Sequence, residues 1–276
     1  MNPLRSRRIL VPFSGSPASA AAIPAMARQH DAEVVALVLD LGQGQELEHL
    51  RDGALGAGAV RVHVLDVREE FARDYAVPSL QAGLTAPDSD PDSDPDSDPL
   101  GVRLAARLVA KKMAEIADIE DATVVLGQAG DTSTLWGRTG AYVWTRPASD
   151  APEGAAEVEI AFDRGVPSAV NGVPMIPTDL IDILNIIAGH HGVGRIDLHD
   201  AHGEAPAAVV LRAAYRALHT AAISGDILAD NAGGGPERVH GSVRIALLKG
   251  QHTVVECQVQ QIQSQQIQSQ ETVSQQ

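Results

Sequence analysis

The sequence contains almost no cysteine and few aromatic residues. Cys257 is the one cysteine among 276 residues, which excludes an internal disulfide and a CxxC metal site and is typical of a reducing compartment. Aromatic residues make up 3% of the chain, so Ala, Val, Leu and Ile must supply most of the core. The apolar run near the N-terminus has only three residues before Pro12, too few for a signal sequence or a membrane span. We therefore expect a cytoplasmic protein without a membrane partner.

Positive charge is also scarce. The chain has 21 Lys and Arg against 36 Asp and Glu, and its net charge at pH 7 is −15. Six of the aspartates lie between Asp88 and Asp98. Because binding to nucleic acid or to an anionic membrane needs a basic surface, we expect neither partner.

The most informative stretch is Arg8–Ala22, where an apolar run enters a turn of small residues and then an alanine-rich segment. This order is typical of a buried strand that leads through a phosphate-sized loop into a helix N-terminus, which favours anions. An apolar segment at 33–40 completes a unit of roughly 30 residues, the length of a βαβ crossover. Neither GxGxxG nor GxxxxGK[ST] is present, so a plain strand–turn–helix remains the alternative.

The rest of the first half continues the alternation of strands and helices. This order predicts a doubly wound α/β domain over residues 1–127. Three Asp-Ser-Asp-Pro repeats within residues 85–99 predict an extended, solvated linker inserted into that domain. The linker lacks the glycine turn and the terminal Glu of a calcium loop. The further predicted elements are strands at 61–67 and 122–127 and helices at 69–81 and 100–116.

Residues 128–256 follow a mixed pattern and predict an α+β domain. We expect strands at 141–145 and 158–162, a hairpin turn at 163–165, a helix capped by Thr178 and ended by Gly192 or Gly194, a helix at 208–220, and a closing hairpin around Lys249-Gly250. Residues 257–276 are rich in Gln and Ser and predict a polar tail. The spacing of Val255, Val259 and Ile262 leaves a short assembly helix as the alternative.

Several sequence blocks resemble the argininosuccinate synthase family, in the same order and over almost the whole chain with gaps. The most specific block runs from Ile187 to Asp197 and contains Gly-His-His-Gly-Val-Gly-Arg. Other similar blocks are Leu39-Asp40-Leu41-Gly42-Gln43, Val67-Arg68-Glu69-Glu70-Phe71, Leu135-Trp136-Gly137-Arg138 and Val170-Asn171-Gly172.

The resemblance implies an N-terminal nucleotide-binding domain of the ATP-pyrophosphatase type and a C-terminal synthetase-like domain. Members of the family join citrulline to aspartate, using ATP with Mg²⁺, through a citrullyl-adenylate with release of pyrophosphate and AMP. By resemblance, Thr139 and Asp200 fall on citrulline-binding positions, and no residue is assigned as catalytic or as a metal ligand. The positions that match the ATP-binding ones are Phe13, Ser14, Gly15, Ser16, Ser19 and Leu39.

Two other constellations have a second interpretation. His190, His191, Asp197, His199, Asp200 and His202 lie within thirteen residues, so a metal site is an alternative to ordinary loop histidines. Asp40 ends the second strand, where a dinucleotide-binding fold places its ribose ligand. Because both stretches coincide with blocks that resemble the family, we expect inherited loop and strand-end residues.

The sequence also departs from the family at the residues that carry its chemistry. In the loop, Ser16 replaces a glycine, Pro17 lacks a backbone N–H, and Ala18 replaces an aspartate. On the substrate side, Asp98–Arg103 lacks the tyrosine and hydroxyls of the family's Tyr-x-x-Gly-Thr-Ser, and a Thr-Gly-Lys-Gly-Asn-Asp segment has no counterpart. The first hypothesis is therefore a ligase whose activity on amino acids is weak, altered or absent. The alternative is a non-catalytic relative that acts as a binding or scaffolding subunit. As partners we expect amino acids if the protein is active, and either further copies of the chain in a homo-oligomer or an intact synthase.

Overall fold

A computed structural model describes residues 7–82, 101–125, 133–140, 142–198, 201–228 and 239–260. Four strands of its first half form a parallel sheet, here called sheet A, with the order β3-β2-β1-β4. The strands are β1 (Arg8–Pro12), β2 (Glu33–Asp40), β3 (Arg61–Asp66) and β4 (Ala122–Val124). The helices that connect them are α1 (Pro17–His30), α2 (Leu47–Gly56), α3 (Arg68–Phe71), α4 (Val77–Ala82) and α5 (Val102–Glu120).

Helices cover both faces of sheet A because its strands are apolar on both sides. On β2, Val34 and Val38 pack with Ile23 of α1 and Leu50 of α2. The alternate residues of β2 join a second cluster that contains Leu108 of α5. The predicted doubly wound α/β architecture is therefore confirmed.

The helix predicted at 69–81 is interrupted rather than regular. A π-helical turn, Ala72–Ala76, lies between α3 and α4. Pro78 follows this turn, and it can neither donate an N–H to Asp74 nor avoid crowding its carbonyl group. The wider turn accommodates that missing hydrogen bond while Phe71 and Leu80 stay buried.

The second half contains two antiparallel sheets and two long helices. Sheet B has the order β5-β10-β9, and sheet C has the order β12-β11-β6-β7-β8. The helices are α6 (Pro177–His190) and α7 (Pro206–Leu228), and α7 extends beyond the predicted 208–220 at both ends. The strands are β5 (Arg138–Thr139), β6 (Ala156–Asp163), β7 (Val166–Val170), β8 (Val173–Pro174), β9 (Arg195–Leu198), β10 (Ala201–Glu204), β11 (Gly241–Leu248) and β12 (Gln251–Val259).

Both predicted hairpins are confirmed. Arg164 and Gly165 take positive φ angles of 49° and 73° between β6 and β7, and Lys249 and Gly250 take 45° and 84° between β11 and β12. Two adjacent left-handed residues match the twist of antiparallel strands. Strand β12 continues to Val259, so the helix considered for the start of the tail is wrong over the described residues.

Two local predictions in this half are wrong. Residues 142–145 form no strand, because the backbone N–H groups of residues 143–145 bind the side chain of Glu204 instead of a neighbouring strand. Helix α6 begins after Ile176 and not after Thr178, which lies inside its first turn with a buried hydroxyl that has no hydrogen-bond partner. Pro177 explains the shift, since its fixed φ and missing N–H suit the first helical position. At the other end, Gly192 follows the helix with φ 76°, as one of the two alternatives predicted.

Some predicted features lie outside the described residues. They include the linker at 85–99, His199, Asp200 and the tail from residue 261 onward. The domain boundary near residue 127 stays a prediction, because it also falls there. In the described part of the chain, no helix has the length and apolar character to cross a membrane.

Candidate functional site

The loop from Pro12 to Ser19 lies where β1 ends and α1 begins, at the carboxyl edge of sheet A. Three serine side chains meet there. The Ser14 hydroxyl lies 3.2 Å from the Ser16 hydroxyl and 3.5 Å from the Ser19 hydroxyl. The Ser16 hydroxyl also accepts a hydrogen bond from the Ser19 backbone N–H at 3.1 Å, which makes Ser16 the N-cap of α1.

Gly15 gives the loop its shape. Its φ of 76° lies in the left-handed region, and an added Cβ would clash with the Leu50 side chain of α2. Pro17 occupies the first turn of α1 with its fixed φ, so it does not disturb the helix. No residue from 12 to 19 is acidic. The loop therefore offers hydroxyl and N–H donors at a helix N-terminus, which favours an anion.

The structure separates the two apolar residues that were predicted beside ATP. Phe13 packs with Leu50 and Ala54 on the face of sheet A covered by α1 and α2. Leu39 is 8% exposed and packs on the opposite face. Its carbonyl oxygen accepts a hydrogen bond from the Gln43 amide at 2.7 Å. The serine groups thus come together, while Phe13 and Leu39 contribute to two different cores.

Acidic residues surround one arginine next to this loop. Asp40 ends β2 and Asp66 ends β3, and Arg68 donates to Asp66 at 2.6 and 3.0 Å and lies 3.4 Å from Asp40. These hydrogen bonds hold the pKa of Asp66 below its ordinary value. Partial burial raises the pKa of Asp182 on α6, although Arg68 works in the opposite direction. This group of residues is called the carboxyl-edge cluster below.

The Leu-Trp-Gly-Arg block joins the two halves of the molecule. Leu135 donates its backbone N–H to the Leu41 carbonyl at 2.7 Å, immediately after β2. Its own carbonyl accepts the Asn185 side-chain amide of α6 at 2.7 Å. The Asn185 oxygen in turn accepts the Ala207 N–H at 3.0 Å, at the start of α7. One buried asparagine therefore fixes this block against both C-terminal helices.

Arg138 extends from the same block toward the edge of sheet A. Its guanidinium donates to the Gly42 carbonyl at 2.8 Å and lies 4.1 Å from the centre of the Trp144 ring. The neighbouring Thr139 pairs with Gly203 in sheet B. Thr139 thus lies on the strand next to the carboxyl-edge cluster, whereas the position of its predicted companion Asp200 falls outside the described residues.

A buried carboxylate organises the segment that carries Trp144. Glu204 is 1% exposed and accepts the backbone N–H groups of Val143, Trp144 and Thr145 at 2.7 to 3.1 Å. It also accepts the Thr145 hydroxyl at 2.9 Å. Three consecutive N–H groups that converge on one carboxylate satisfy its charge without a cation. Glu204 thereby fixes Trp144 against Arg138.

The residues at the carboxyl edge of sheet A suit the triphosphate of ATP better than they suit its Mg²⁺ ion. A triphosphate suits the hydroxyls of the serine loop and the N-terminus of α1. Mg²⁺ prefers carboxylate oxygens, and residues 12–19 supply none. The nearby Asp40 accepts the Gly42 N–H at 2.9 Å and lies close to Arg68. Among the described residues no group of His, Cys, Asp and Glu is arranged to hold a metal ion.

Sequence reasoning missed the roles of Asn185, Glu204 and Asp182. Each lies within an ordinary helix or strand end, and its partners are distant in sequence. Glu204 lies 59 to 61 residues from the N–H groups that it binds. The available signal was an acidic residue directly before Ala205-Pro206 and a helix start, which does not identify a partner.

Comparison with protein families agrees with the blocks described above. Residues 8–133 match the model described as "Arginosuccinate synthase N-terminal HUP domain". Residues 131–233 match the model described as "Arginosuccinate synthase C-terminal domain". The two matches together span most of the described structure, including the serine loop, the carboxyl-edge cluster and Glu204.

Curated argininosuccinate synthases are similar over most of the chain. The protein from Nostoc sp. is 27% identical over an alignment of 353 positions with gaps, and this alignment covers 91% of this chain and 88% of the relative. The protein from Rubrobacter xylanophilus is 29% identical and covers 82% of this chain and 72% of the relative. The protein from Acetivibrio thermocellus is 27% identical, with 81% and 74% covered.

A solved NAD⁺ synthetase from Burkholderia pseudomallei is a weaker match, with 20% identity and a TM-score of 0.31 over 43% of this chain and 52% of that chain. That score is too low to support any argument about function. The family membership of this chain rests on the two family models and on the extent of the curated matches. The parallel sheet with helices on both faces agrees with it. The chain belongs to the argininosuccinate synthase family.

Proposed function

We propose that this protein is an ATP-dependent C–N ligase of the argininosuccinate synthase type whose turnover of citrulline and aspartate is weak, altered or absent. In the family reaction, ATP activates the ureido group of citrulline as an adenylate and releases pyrophosphate. The aspartate amine then displaces AMP to form argininosuccinate. The observation that carries the proposal is the serine loop at the N-terminus of α1, where the Ser14 hydroxyl lies within 3.5 Å of the hydroxyls of both Ser16 and Ser19.

The loop supports binding of the phosphates. A helix N-terminus and neighbouring hydroxyls stabilise negative charge, and Gly15 lets the backbone turn beside Leu50. The loop residues that differ from the family's pattern weaken the same site. Pro17 removes one donor, and the Ser16 side chain already accepts the N–H of Ser19. We therefore expect ATP to bind more weakly than a loop with all its donors and its acidic group would allow.

The region next to the loop supports recognition of a substrate with both charges. Arg68 and Arg138 supply positive charge, and Asp40, Asp66 and Asp182 supply negative charge, at one edge of sheet A. Amino acids carry both an ammonium and a carboxylate group. This edge therefore suits an amino-acid substrate class, which agrees with the family assignment.

The missing segments support reduced or altered turnover. The Nostoc alignment is longer than the chain itself, so that relative has residues for which this chain has none. A lost charged hydrogen bond to a substrate costs about 1.5–3 kcal/mol, roughly a tenfold to hundredfold loss in rate or affinity. Several such losses exceed what positioning by the remaining residues would recover.

Titration calorimetry with ATP and Mg²⁺, together with a pyrophosphate-release assay with citrulline and aspartate, tests this proposal. We expect heat from ATP binding, and pyrophosphate release that depends on an amino-acid acceptor. Further amino acids should be tested in place of each natural substrate. Absence of both ATP binding and pyrophosphate release at high protein concentration would contradict the proposal.

A matched pair of variants locates the binding. Ala18→Asp adds an acidic group where the family has one, and we expect it to strengthen ATP binding in the presence of Mg²⁺. Ala21→Asp adds the same charge one turn further along α1, also at an exposed residue, and is the control. If both variants have the same effect on ATP affinity, the nucleotide does not bind at this loop.

The second candidate is a non-catalytic subunit that binds or supports an intact synthase. The observation that favours it is the absence of any acidic residue from the loop, because adenylate formation uses a metal-bound nucleotide. This candidate predicts association with an argininosuccinate synthase and no pyrophosphate release. Co-purification of the two chains, compared with calorimetry on this chain alone, distinguishes it from the ligase.

A further inference from the structure

The outer face of helix α6 exposes apolar surface beside the carboxyl-edge cluster. Ile186 on this face is 59% exposed. Asp182 lies four residues before it and Gly189 three residues after it, so all three lie on one face of the helix, about one turn apart. This face therefore presents a carboxylate, an apolar side chain and a glycine in a row.

Trp144 lies directly on that glycine. A Cβ added to Gly189 would clash with the Trp144 carbonyl group and lie 3.1 Å from the Trp144 Cβ, so only glycine permits this approach. Two residues further on, Arg146 donates its backbone N–H to the Gly189 carbonyl at 2.9 Å. The segment thus crosses α6 one turn from Ile186. Because the Trp144 side chain is half-buried, it adds aromatic surface next to Ile186.

Arg138 connects Trp144 to Asp182 by a second route. Its guanidinium lies 4.1 Å from the centre of the Trp144 ring. Burial raises the pKa of Asp182, and Arg138 is close enough to act against that shift. The helix face and the arginine therefore both bring Asp182, Ile186 and Trp144 to one continuous surface.

The Asp182 carboxylate is the member of this surface that lacks a direct partner. No hydrogen bond or ion pair joins its side chain to another described residue. The two nearby arginines are engaged elsewhere, since Arg68 donates to Asp66 and Arg138 donates to the Gly42 carbonyl. An exposed carboxylate without a donor suits an ammonium group, which brings N–H donors and positive charge together.

The charges of the edge also favour an ammonium group over an anion. Asp40, Asp66 and Asp182 carry three negative charges, against two positive charges on Arg68 and Arg138. One negative charge is therefore left in excess. An apolar acid without an amine would be repelled here, whereas an amino acid can place its ammonium group at Asp182.

We infer that Ile186 and Trp144 hold the apolar side chain of an amino-acid substrate whose ammonium group pairs with Asp182. The inference rests on the proposed function, and it names the substrate class of that site as amino acids with an apolar side chain of about the size of leucine. A ureido side chain placed there would lose hydrogen bonds to water, for which Ile186 offers no replacement. Ile186 and Trp144 are thus specificity-determining residues.

Tryptophan fluorescence tests the inference on the full chain without ATP. The chain has two tryptophans, and Trp136 is 1% exposed, so acrylamide quenching reports mainly on Trp144. We expect leucine to protect Trp144 at about tenfold lower concentration than asparagine, which has nearly the same shape and a polar end. Trp144→Phe should remove the signal. If leucine protects Trp144 but releases no pyrophosphate with ATP, the ligase proposal fails and this inference stands.

Three variants separate the side-chain contact from the ammonium contact. Ile186→Asn should reduce the preference for leucine over asparagine to less than about twofold. Ile119→Asn, on α5 at the opposite edge of sheet A and 71% exposed, is the control and should leave the preference unchanged. Asp182→Asn should weaken the binding of both amino acids by about fivefold or more and keep the preference.

Four results would overturn the inference. The first is equal protection of Trp144 by leucine and asparagine. The second is no protection by leucine at any concentration; if citrulline still supports pyrophosphate release, the ligase proposal survives without this inference. The third is an equal effect of Ile186→Asn and Ile119→Asn. The fourth is unchanged binding in Asp182→Asn. If Ile186→Asn fails to fold, the comparison of leucine with asparagine on the unsubstituted chain still decides.

Discussion

At the amino edge of sheet A, where its strands begin, basic side chains surround one acidic side chain. Glu120 ends α5 with 3% of its surface exposed, and it lies 2.7 Å from both Arg61 and His63 and 3.1 Å from Arg8. At the carboxyl edge of the same sheet, Arg68 lies among the carboxylates of Asp40, Asp66 and Asp182.

Glu120 at the amino edge and Asp182 at the carboxyl edge have pKa shifts of opposite direction. Burial works to raise the pKa of Glu120, but hydrogen bonds from Arg61 and His63 outweigh it and leave the pKa below its ordinary value. Partial burial raises the pKa of Asp182 above its ordinary value. At the amino edge, basic side chains therefore neutralise the charge of Glu120, and these ion pairs stabilise the fold. At the carboxyl edge, three carboxylates surround Arg68 and leave negative charge in excess, which is common at sites that bind a ligand.

The largest effect on stability is expected at Glu204, the carboxylate that fixes Trp144 against Arg138. Glu204→Ala leaves the backbone N–H groups of Val143, Trp144 and Thr145 without the buried carboxylate that accepts them, so we expect the free energy of unfolding to fall by about 4 kcal/mol. Urea denaturation measures this loss. Trp144 should also become more mobile, which a red shift in tryptophan emission would report.

Glu153→Ala is the control for that variant. Its side chain is 86% exposed and forms an ion pair of 2.8 Å with Lys249, so its loss should cost less than about 0.5 kcal/mol. If Glu204→Ala were as stable as this control, the three N–H groups would have other acceptors and Glu204 would not organise the segment.

The amino edge provides the next largest effect. Glu120→Gln keeps the shape of the side chain and removes its charge, so we expect a loss of about 2 kcal/mol in unfolding free energy at pH 7. Because folding lowers the pKa of Glu120, its contribution is present above the unfolded pKa and is lost as pH falls through the lower folded value. The difference between variant and parent should therefore disappear in acid.

Urea denaturation at several pH values measures this dependence. Glu115→Gln is the control, since Glu115 lies on the same helix with 45% exposure and an ion pair of 3.0 Å to Lys112. It should cost less than about 0.5 kcal/mol at every pH. A difference between Glu120→Gln and the parent that persisted in strong acid would mean that packing, rather than charge, explains the role of Glu120.

These two carboxylates also show what the sequence alone could predict. The parallel sheet followed from short apolar segments that alternate with helical ones, and the serine loop followed from local chain order. Glu204 and Glu120 could not be identified in this way, since their partners lie at least 57 residues away. The short strands of sheet B, with two to four residues each, are too brief to show a repeating pattern.

A smaller effect is expected at the serine loop. Ser16→Ala removes the N-cap of α1 and should lower the unfolding free energy by about 1 kcal/mol. The same change frees the N–H of Ser19, which then becomes available to an anion. We therefore expect added ATP to raise the midpoint of thermal unfolding more in this variant than in the parent. An equal rise in both proteins would show that the Ser19 N–H takes no part in binding.

The smallest effect should come from the excess charge at the carboxyl edge. Asp182→Asn removes a carboxylate whose pKa folding raises, so ionised Asp182 destabilises the fold at neutral pH. We expect the variant to be more stable at pH 7 by a few tenths of a kcal/mol, because the group is partly solvated. Stability of the parent relative to the variant should rise as pH falls through the folded pKa, the reverse of the trend at Glu120. Urea denaturation of both variants across the same pH range tests this. Parallel pH trends would mean that the two edges do not differ in how they balance charge.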